Sequence, residues 1–421
     1  MGVELQCNNS NQIAGESGGA APVVLGLQPA ALADHVARVD SSLLSQIPGE
    51  QRNLDLVESK KQCDCIYFNV EESGWDRIIE EGQNNISRKE IVWIDLESRV
   101  SAKELKHILD EISAHILASP ENPSPLKTIA GGSVANTIRG LAAGFGIHCG
   151  IIGAYGNDDQ GKLFINNMSS YNVDVSRLRL KNGSTAQCVC LVDEFGNRTM
   201  RPCLSSAVKV QADELNRDDF KGSKWLVMRY AILNLDVIDA AIRIAKQEGL
   251  NVSLDLASFE MVRKFRQPLV QLLESGKIDL CFANEDEAKE LLSGEGDTDP
   301  EAALEFMAKY CKWAVVTLGQ KGCIAKHGKE VVRVPAIGES KAIDATGAGD
   351  LFASGFLYGL IKGLPLEACC QVGSCSGGSV IRALGGEVTP ENWQWMYKQM
   401  QTKGLNIPDP IIKCSDETGD L

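Results

Sequence analysis

No apolar run in these 421 residues approaches the roughly 20 needed to cross a bilayer. The first twenty residues hold no Lys or Arg, so the basic start of a secretory signal or an organellar transit peptide is missing. Met1-Gly2 resembles a myristoylation start, but position 6 is Gln6 rather than Ser or Thr. Positive charge is also short. The formal net charge is −14 and the pI about 5.0, which argues against a nucleic-acid or anionic-membrane surface but not against a small anion held by a local donor cluster. Five histidines form no metal-ligand spacing, and neither H-E-x-x-H nor the P-loop pattern G-x-x-x-x-G-K-[ST] occurs. Fourteen cysteines are scattered without a C-x-x-C pair, and Cys63-x-Cys65 lacks the second half of a zinc site. Cys188, Cys190 and Cys281 lie in apolar, strand-like runs, where thiols behave as small hydrophobes. Reduced thiols in a cytoplasmic protein are expected.

Hydrophobic residues at 44% and charged residues at 23% fit a globular chain with a large core. Residues 1–21, rich in Asn, Ser, Gly and Ala, read as a disordered leader, and 409–421 as a tail. Order is expected from Pro22, with a buried strand to Leu27 and a half-exposed strand over Ala33–Asp40. The stretch 51–99 shows no sustained period and reads as an insertion. After it, 101–118 is an amphipathic helix. Thr185–Val192 and Asn197–Cys203 read as a hairpin, which with the segment 27–40 would make a small separate sheet. From Lys224 strands and helices alternate, with a single helix expected over Phe259–Glu274. The pattern predicts an α/β fold with a doubly wound, mostly parallel sheet, whose ligands gather at the C-terminal strand ends.

The chain is organised around Asp344-Ala345-Thr346-Gly347-Ala348-Gly349-Asp350, where small residues run into an apolar helix. Unpaired amides and the positive dipole end of that helix suit an anion such as phosphate. Asp350 either complements the dipole or is a general base that deprotonates a hydroxyl as it attacks a phosphoryl group. Four further stretches each allow a functional and a plainer reading. Asp34 is a ligand-facing carboxylate or a solvated edge residue. Gly131-Gly132, before Asn136, gives close ligand approach or close packing. Asn284-x-x-Glu287 has capping-box spacing, or holds Mg²⁺ through water. Thr317-x-Gly319, with Gly322, lies at a strand end or makes a plain turn into a hairpin. Asp158 reads as a turn or N-cap carboxylate. Gly373-Ser374-Cys375-Ser376-Gly377 lies inside a small-residue helix and lacks the strand–turn–helix setting of a nucleophile elbow.

Taken in order, these pieces resemble the ribokinase/PfkB family of carbohydrate and nucleoside kinases over about residues 22–405. The most specific run is Ala342–Phe352, similar to that family's C-terminal signature. Ala345 departs from it, standing where Thr is commoner. The stretch between Asp40 and Gly131 is longer than usual. The resemblance implies a ribokinase-like domain over 22–408 with a small β-sheet lid, using ATP and Mg²⁺, with K⁺ held by backbone near Asp344. It implies Asp350 as catalytic base, with Gly347, Ala348 and Gly349 forming the anion hole. Asp34, Gly131, Gly132 and Asn136 would bind substrate. Asn284, Thr317, Gly319 and Gly322 would bind the nucleotide, and Glu287 and Asp344 would lie by the metal ions. The expected acceptor is a nucleoside or a sugar; a phosphorylated sugar would need Arg198 or Arg201. Ile381–Glu387 is somewhat similar to the adenosine-kinase branch. The expected assembly is a monomer, or a homodimer through the lid. A non-catalytic binding member would be expected to have lost the base or the glycines, and here all remain.

Overall fold

The structure, a computed structural model, describes residues 21–40, 43, 100–118, 126–193, 196, 198–205, 207–230, 235–293, 299–338 and 342–405. The expected leader up to residue 20, the 51–99 insertion and the tail lie outside the described residues.

The chain enters through β1 (Val24–Leu27) and β2 (Leu32–Arg38), then α1 (Ala102–Ala118), β3 (Lys127–Gly131) and α2 (Ser133–Phe145). Next come β4 (Cys149–Gly156), α3 (Asp159–Ser170), β5 (Val173–Asp174), β6 (Leu178–Lys181), β7 (Ala186–Val192) and β8 (Arg198–Cys203). The alternating part holds β9 (Trp225–Arg229), α4 (Leu235–Gln247), β10 (Asn251–Asp255), α5 (Phe259–Lys264), α6 (Arg266–Glu274), β11 (Leu280–Asn284) and α7 (Glu285–Leu291). It continues with α8 (Pro300–Ala308), β12 (Trp313–Thr317), β13 (Cys323–His327) and β14 (Glu330–Val334). Three helices close it: α9 (Ala348–Ile361), α10 (Leu366–Val380) and α11 (Pro390–Thr402).

The described strands form two sheets. The large one has the order β14-β13-β12-β11-β10-β9-β1-β4-β5, with β6 also on β4. From β12 to β5 neighbouring strands run parallel, while β13 and β14 pair antiparallel at one edge. A parallel sheet must hide both faces, and its strands alternate accordingly. Trp225 and Val227 enter the core under α2, α9, α10 and α11, whereas Leu226 and Met228 enter the opposite core under α4–α8. Close packing of α9 on α10 explains the small-residue run: a Cβ on Gly355 would crowd Val372 O at 2.6 Å, and one on Gly377 would meet Ala348 O at 2.9 Å.

The small sheet has the order β3-β2-β7-β8. It includes β3, while Leu27 ends a strand of the large sheet. The half-exposed strand expected around Asp34 is instead buried at five of its seven positions. The period-2 alternation is real, but both faces are covered. The outer face, with Ala37, Val189 and Leu191, packs under Leu105, Ile108 and Ile112 of α1. The inner face, with Val36, Ile129, Cys188, Cys190 and Val192, turns towards the body near Leu384. His35, on the outer side, satisfies both ring nitrogens against Thr128 Oγ1 and Gln187 Oε1, each at 2.9 Å. The single helix expected over 259–274 is two, broken at Phe265. Pro268 has no N–H to return to Lys264 O, so the α-helical ladder cannot pass that point.

Candidate active site

α9 begins without a side-chain cap. Gly347 sits at its N-cap with φ 80°, a left-handed conformation that glycine adopts without strain, and Gly386 packs where a Cβ would be. Its first-turn amides have no acceptor within the helix. A Cβ on Gly349 would meet nothing within 4 Å, so that side of the first turn is open, while Ala348 N donates to Ala345 O in the preceding loop at 3.3 Å. The loop before it is pinned by Asp344, which is fully buried. One carboxylate oxygen accepts from Thr346 N (2.8 Å) and Oγ1 (2.6 Å), and the other from Gly385 N at 2.8 Å. The side chain of Asp344 is therefore occupied in shaping the loop, leaving backbone as the route to a cation.

Asp350, in the first turn of α9, meets the N-terminal turn of α2. Its Oδ1 accepts from Ser133 Oγ and its Oδ2 from Asn136 Nδ2 at 2.9 Å. Asn136 is oriented by Arg139, a buried guanidinium that donates to Asn136 Oδ1 (2.8 Å), Asn167 Oδ1 (2.8 Å), Ala130 O (3.0 Å) and Gly386 O (3.2 Å). The start of α2 is held by Gln28, whose Oε1 accepts from Ala135 N at 3.0 Å while Nε2 donates to Gly131 O at 3.2 Å. Ser133, Arg139 and Gln28 were missed in the sequence reading. Arg139 was signalled, being a lone charge in a small-residue helix three positions after Asn136.

Asp34 projects from the inner face of the lid and is 3% exposed. Gly131 leaves room for it, since a Cβ there would overlap the carboxylate. Burial pushes the Asp34 carboxyl up to about 7; Arg139 opposes the shift, and Asp350 and Asp344 add to it. At the tip of the β7–β8 hairpin, Gly196 approaches Ala342 O so closely that a Cβ would lie 2.6 Å away, so the lid rests on the loop leading to Asp344. Of the two arginines considered for an anionic acceptor, Arg198 pairs with Val192 on the inner face. Arg201 pairs with Val189 and belongs to the outer face under α1.

On the other side of Asp350 lie the ends of β9–β12. Asp255, unremarked in the sequence, ends β10 with Arg229 Nε 3.8 Å away. Burial raises its pKa, the guanidinium opposes, and the charge of Asp350 contributes, so the two carboxylates share one electrostatic neighbourhood. Asn284 and Glu287 form a complete capping box on α7. Asn284 Oδ1 accepts from Glu287 N (2.9 Å), and the two carboxylate oxygens accept from Asn284 N and Nδ2 (2.8 Å each). Thr317 is in register with Asn284 on the adjacent strand. The two glycines that follow differ. Gly319 (φ 55°) faces open space, whereas Gly322 (φ 95°) is packed against Val334 O and the backbone of 335–336.

The chain therefore brings Asp34, Gly131, Asn136, the α9 turn and Asp350 to one place, with the β11–β12 ends on the nucleotide-expected side. A family model described as pfkB family carbohydrate kinase matches residues 107–392, more than half of the chain. An uncharacterized sugar kinase of Archaeoglobus fulgidus is 26% identical over 246 residues, 57% of this chain and 94% of that protein. A nucleoside kinase of Methanocaldococcus jannaschii is 23% identical over 285 residues, covering 64% and 85%. Among solved structures, an adenosine kinase from Sinorhizobium meliloti is 26% identical with a TM-score of 0.69, covering 90% of this chain and 99% of that one. A ribokinase from Thermotoga maritima, at 16% identity and a TM-score of 0.57, shares the fold. The chain belongs to the PfkB family of carbohydrate kinases, ATP-dependent phosphotransferases that act on an alcohol group.

Proposed function

We propose that this kinase phosphorylates a hydroxymethyl group of a nucleoside or sugar, with Asp350 as the general base. The observation that carries the reading is the seat of Asp350. It is fixed by Ser133 and Asn136 at the open, uncapped N-terminus of α9. A carboxylate so placed takes the proton of an attacking hydroxyl without a search through rotamers. The adjacent amides of Gly347–Gly349 are aimed where negative charge develops on the transferring group. Asp34 and Asn136 hold other polar atoms of the acceptor, and the lid over them excludes water and so suppresses hydrolysis of the donor.

Mg²⁺, which the family uses with ATP, neutralises phosphate charge when bound. Asp255, and Asn284 with Glu287 through water, suit a hard cation. Both Glu287 oxygens also accept from the cap, which fixes the carboxylate at the strand end. Backbone near Asp344 would hold K⁺, and the nucleotide would lie against Thr317 and Gly319, while Gly322 supports that turn from behind.

The similarity to the Sinorhizobium meliloti adenosine kinase, together with the uncharged Gly131–Asn136 edge, supports a nucleoside. A sugar acceptor is the second reading, supported by a fructoselysine 6-kinase of Shigella flexneri that is 30% identical over 274 residues, 62% of this chain and 94% of that one. α1 buries the outer lid face, which favours a monomer over a lid-to-lid dimer. No helix among the described residues is long and apolar enough to cross a membrane, and a cytoplasmic setting remains part of this reading. The test is Asp350→Asn, with ADP release measured over a panel of nucleosides, ribose and fructose. Turnover should fall by about 10²–10⁴-fold with nucleotide binding retained. Near-normal turnover in that variant would remove Asp350 from the chemistry.

A further inference from the structure

The inner lid face carries two buried thiols beside Asp34. β2 and β7 run parallel with Asp34 opposite Cys188, and Cys190, two residues on, returns to the same face. An oxygen of Asp34 and the two sulfurs all lie within 4.8 Å of one another, and all three residues are buried. The sulfurs are 3.9 Å apart. Two thiolates on one tetrahedral zinc ion, at a Zn–S length of about 2.3 Å, stand about 3.8 Å apart. The pair thus already has the spacing of a chelate. A separate observation points the same way: Asp34 Oδ1 has no hydrogen-bond partner although the residue is 3% exposed. A buried carboxylate oxygen left unpaired is costly, and a cation would offset that cost.

We propose that Asp34, Cys188 and Cys190 form a three-ligand site for a thiophilic divalent cation of the Zn²⁺ type. Two sulfur donors select against Mg²⁺, which takes oxygen ligands, so the kinase metal does not compete for the site. Nearby Asp350 and Asp344 favour a cation, with Arg139 opposing them. Binding forms one metal–oxygen and two metal–sulfur bonds and releases to solvent the two thiol protons and, where the Asp34 carboxyl is protonated, its proton as well, with no change of oxidation state. Three protein ligands leave a fourth position for water. Occupation engages Asp34 and so inhibits acceptor binding; this last step rests on the role proposed above for Asp34, whereas the site does not.

The experiment uses the full chain, reduced with a thiol-free phosphine, and Co²⁺ alone as the first probe. One equivalent should give near-ultraviolet thiolate-to-cobalt absorption that Zn²⁺ displaces. Cys188→Ser and Cys190→Ser should each lose it, and Cys369→Ser, packed on Gly359 near the C-terminal end of α9, should keep it. Asp34→Asn should weaken Zn²⁺ by about tenfold or more. X-ray absorption on the zinc-loaded wild-type chain, which needs no variant to fold, should show two sulfur neighbours. No sulfur, more than two sulfurs, or a band that survives both serine variants would overturn the site. Two sulfur neighbours with turnover unchanged by Zn²⁺ would uphold the site and sink the role given to Asp34.

Discussion

Asn136 on α2 donates to Asp350 on α9 across 2.9 Å, and the bond ties together two helices that both begin at the site. Further bonds reinforce the seam. Thr137 Oγ1 donates to Asp350 O at 3.2 Å, and Ser354 Oγ to Thr137 O at 2.9 Å. The carboxylate is thereby fixed relative to the amides of the same turn, so the proposed base and the proposed anion hole move as one body.

Arg139 should matter to turnover more than to ligand affinity. Its guanidinium fixes the carbonyl end of Asn136, which leaves the amide nitrogen for Asp350. Arg139→Met removes four hydrogen bonds of a buried cation. It should cost about 3 kcal/mol of stability, and a misplacement of the kind expected at Asp350 costs about a hundredfold in kcat. Lysine cannot reproduce the fork, so Arg139→Lys should recover little. Wild-type kcat in Arg139→Met would show that Asn136 needs no such support.

Two glycines separate packing from ligand approach. Gly349 has open space at its Cβ position and helical backbone, so Gly349→Ala should leave stability unchanged or raise it by about 0.5–1 kcal/mol. The new methyl group would fill open space beside the first turn, where the proposed anion hole receives its phosphoryl group, and turnover should fall. Gly322→Ala should behave the opposite way, since its φ is 95° and its neighbours are fixed backbone, with a loss above about 1 kcal/mol. Thermal unfolding and ADP release on the two variants decide it; full activity in Gly349→Ala would sink the anion-hole assignment.

Much of the large sheet was legible because strand–helix alternation leaves a strong period, and Asp158 read directly as an N-cap. Asp34 was harder. Period-2 alternation says which face a side chain takes, but α1, distant in sequence, decides that both faces are buried. The break at Phe265 depended on Pro268 three residues later. Asn284-x-x-Glu287 carried two readings in the sequence. The structure realises the cap, which local spacing alone dictates, while a metal role depends on a partner outside the chain. Arg201 and Arg198 differ by three residues, and only the register with β7 separates their faces.

Asp158 joins the start of α3 to the start of the lid strand β7. It accepts from Gly161 N (2.8 Å), Thr185 N (2.7 Å) and Thr185 Oγ1 (2.6 Å). Burial pushes its pKa up, but the Thr185 and Gly161 bonds outweigh this and hold it below the usual carboxylate value. A depressed folded pKa gives stability that is present above the unfolded pKa of about 4 and lost as pH falls through the folded value. Asp158→Asn should lower stability by about 1–2 kcal/mol near neutrality. Its unfolding curve should approach that of wild type in acid. A gap that stays constant down to pH 2, on the order of two units below the unfolded value, would contradict this linkage.

Asp34 should give the opposite slope. Its carboxyl is raised to about 7, chiefly by burial, against an unfolded value of 3.8. Between those limits the folded chain keeps a proton that the unfolded chain has lost. Stability from this group is therefore fully present below about pH 4, declines by about 1.4 kcal/mol per pH unit as pH rises, and changes no further above about pH 7. The groups facing it are Arg139 and the Gly132 amide, which limit the shift, Asp350 and Asp344, which enlarge it, and the thiols of Cys188 and Cys190 on the same face. Asp34→Asn mimics the neutral acid at every pH. Relative to wild type, its stability should improve by about 4 kcal/mol between pH 4 and pH 8, measured by denaturant unfolding with a chelator present so that no divalent cation contributes. Parallel stability curves for the two proteins would mean that Asp34 is ionised in its buried setting, with Arg139 outweighing the cost of burial.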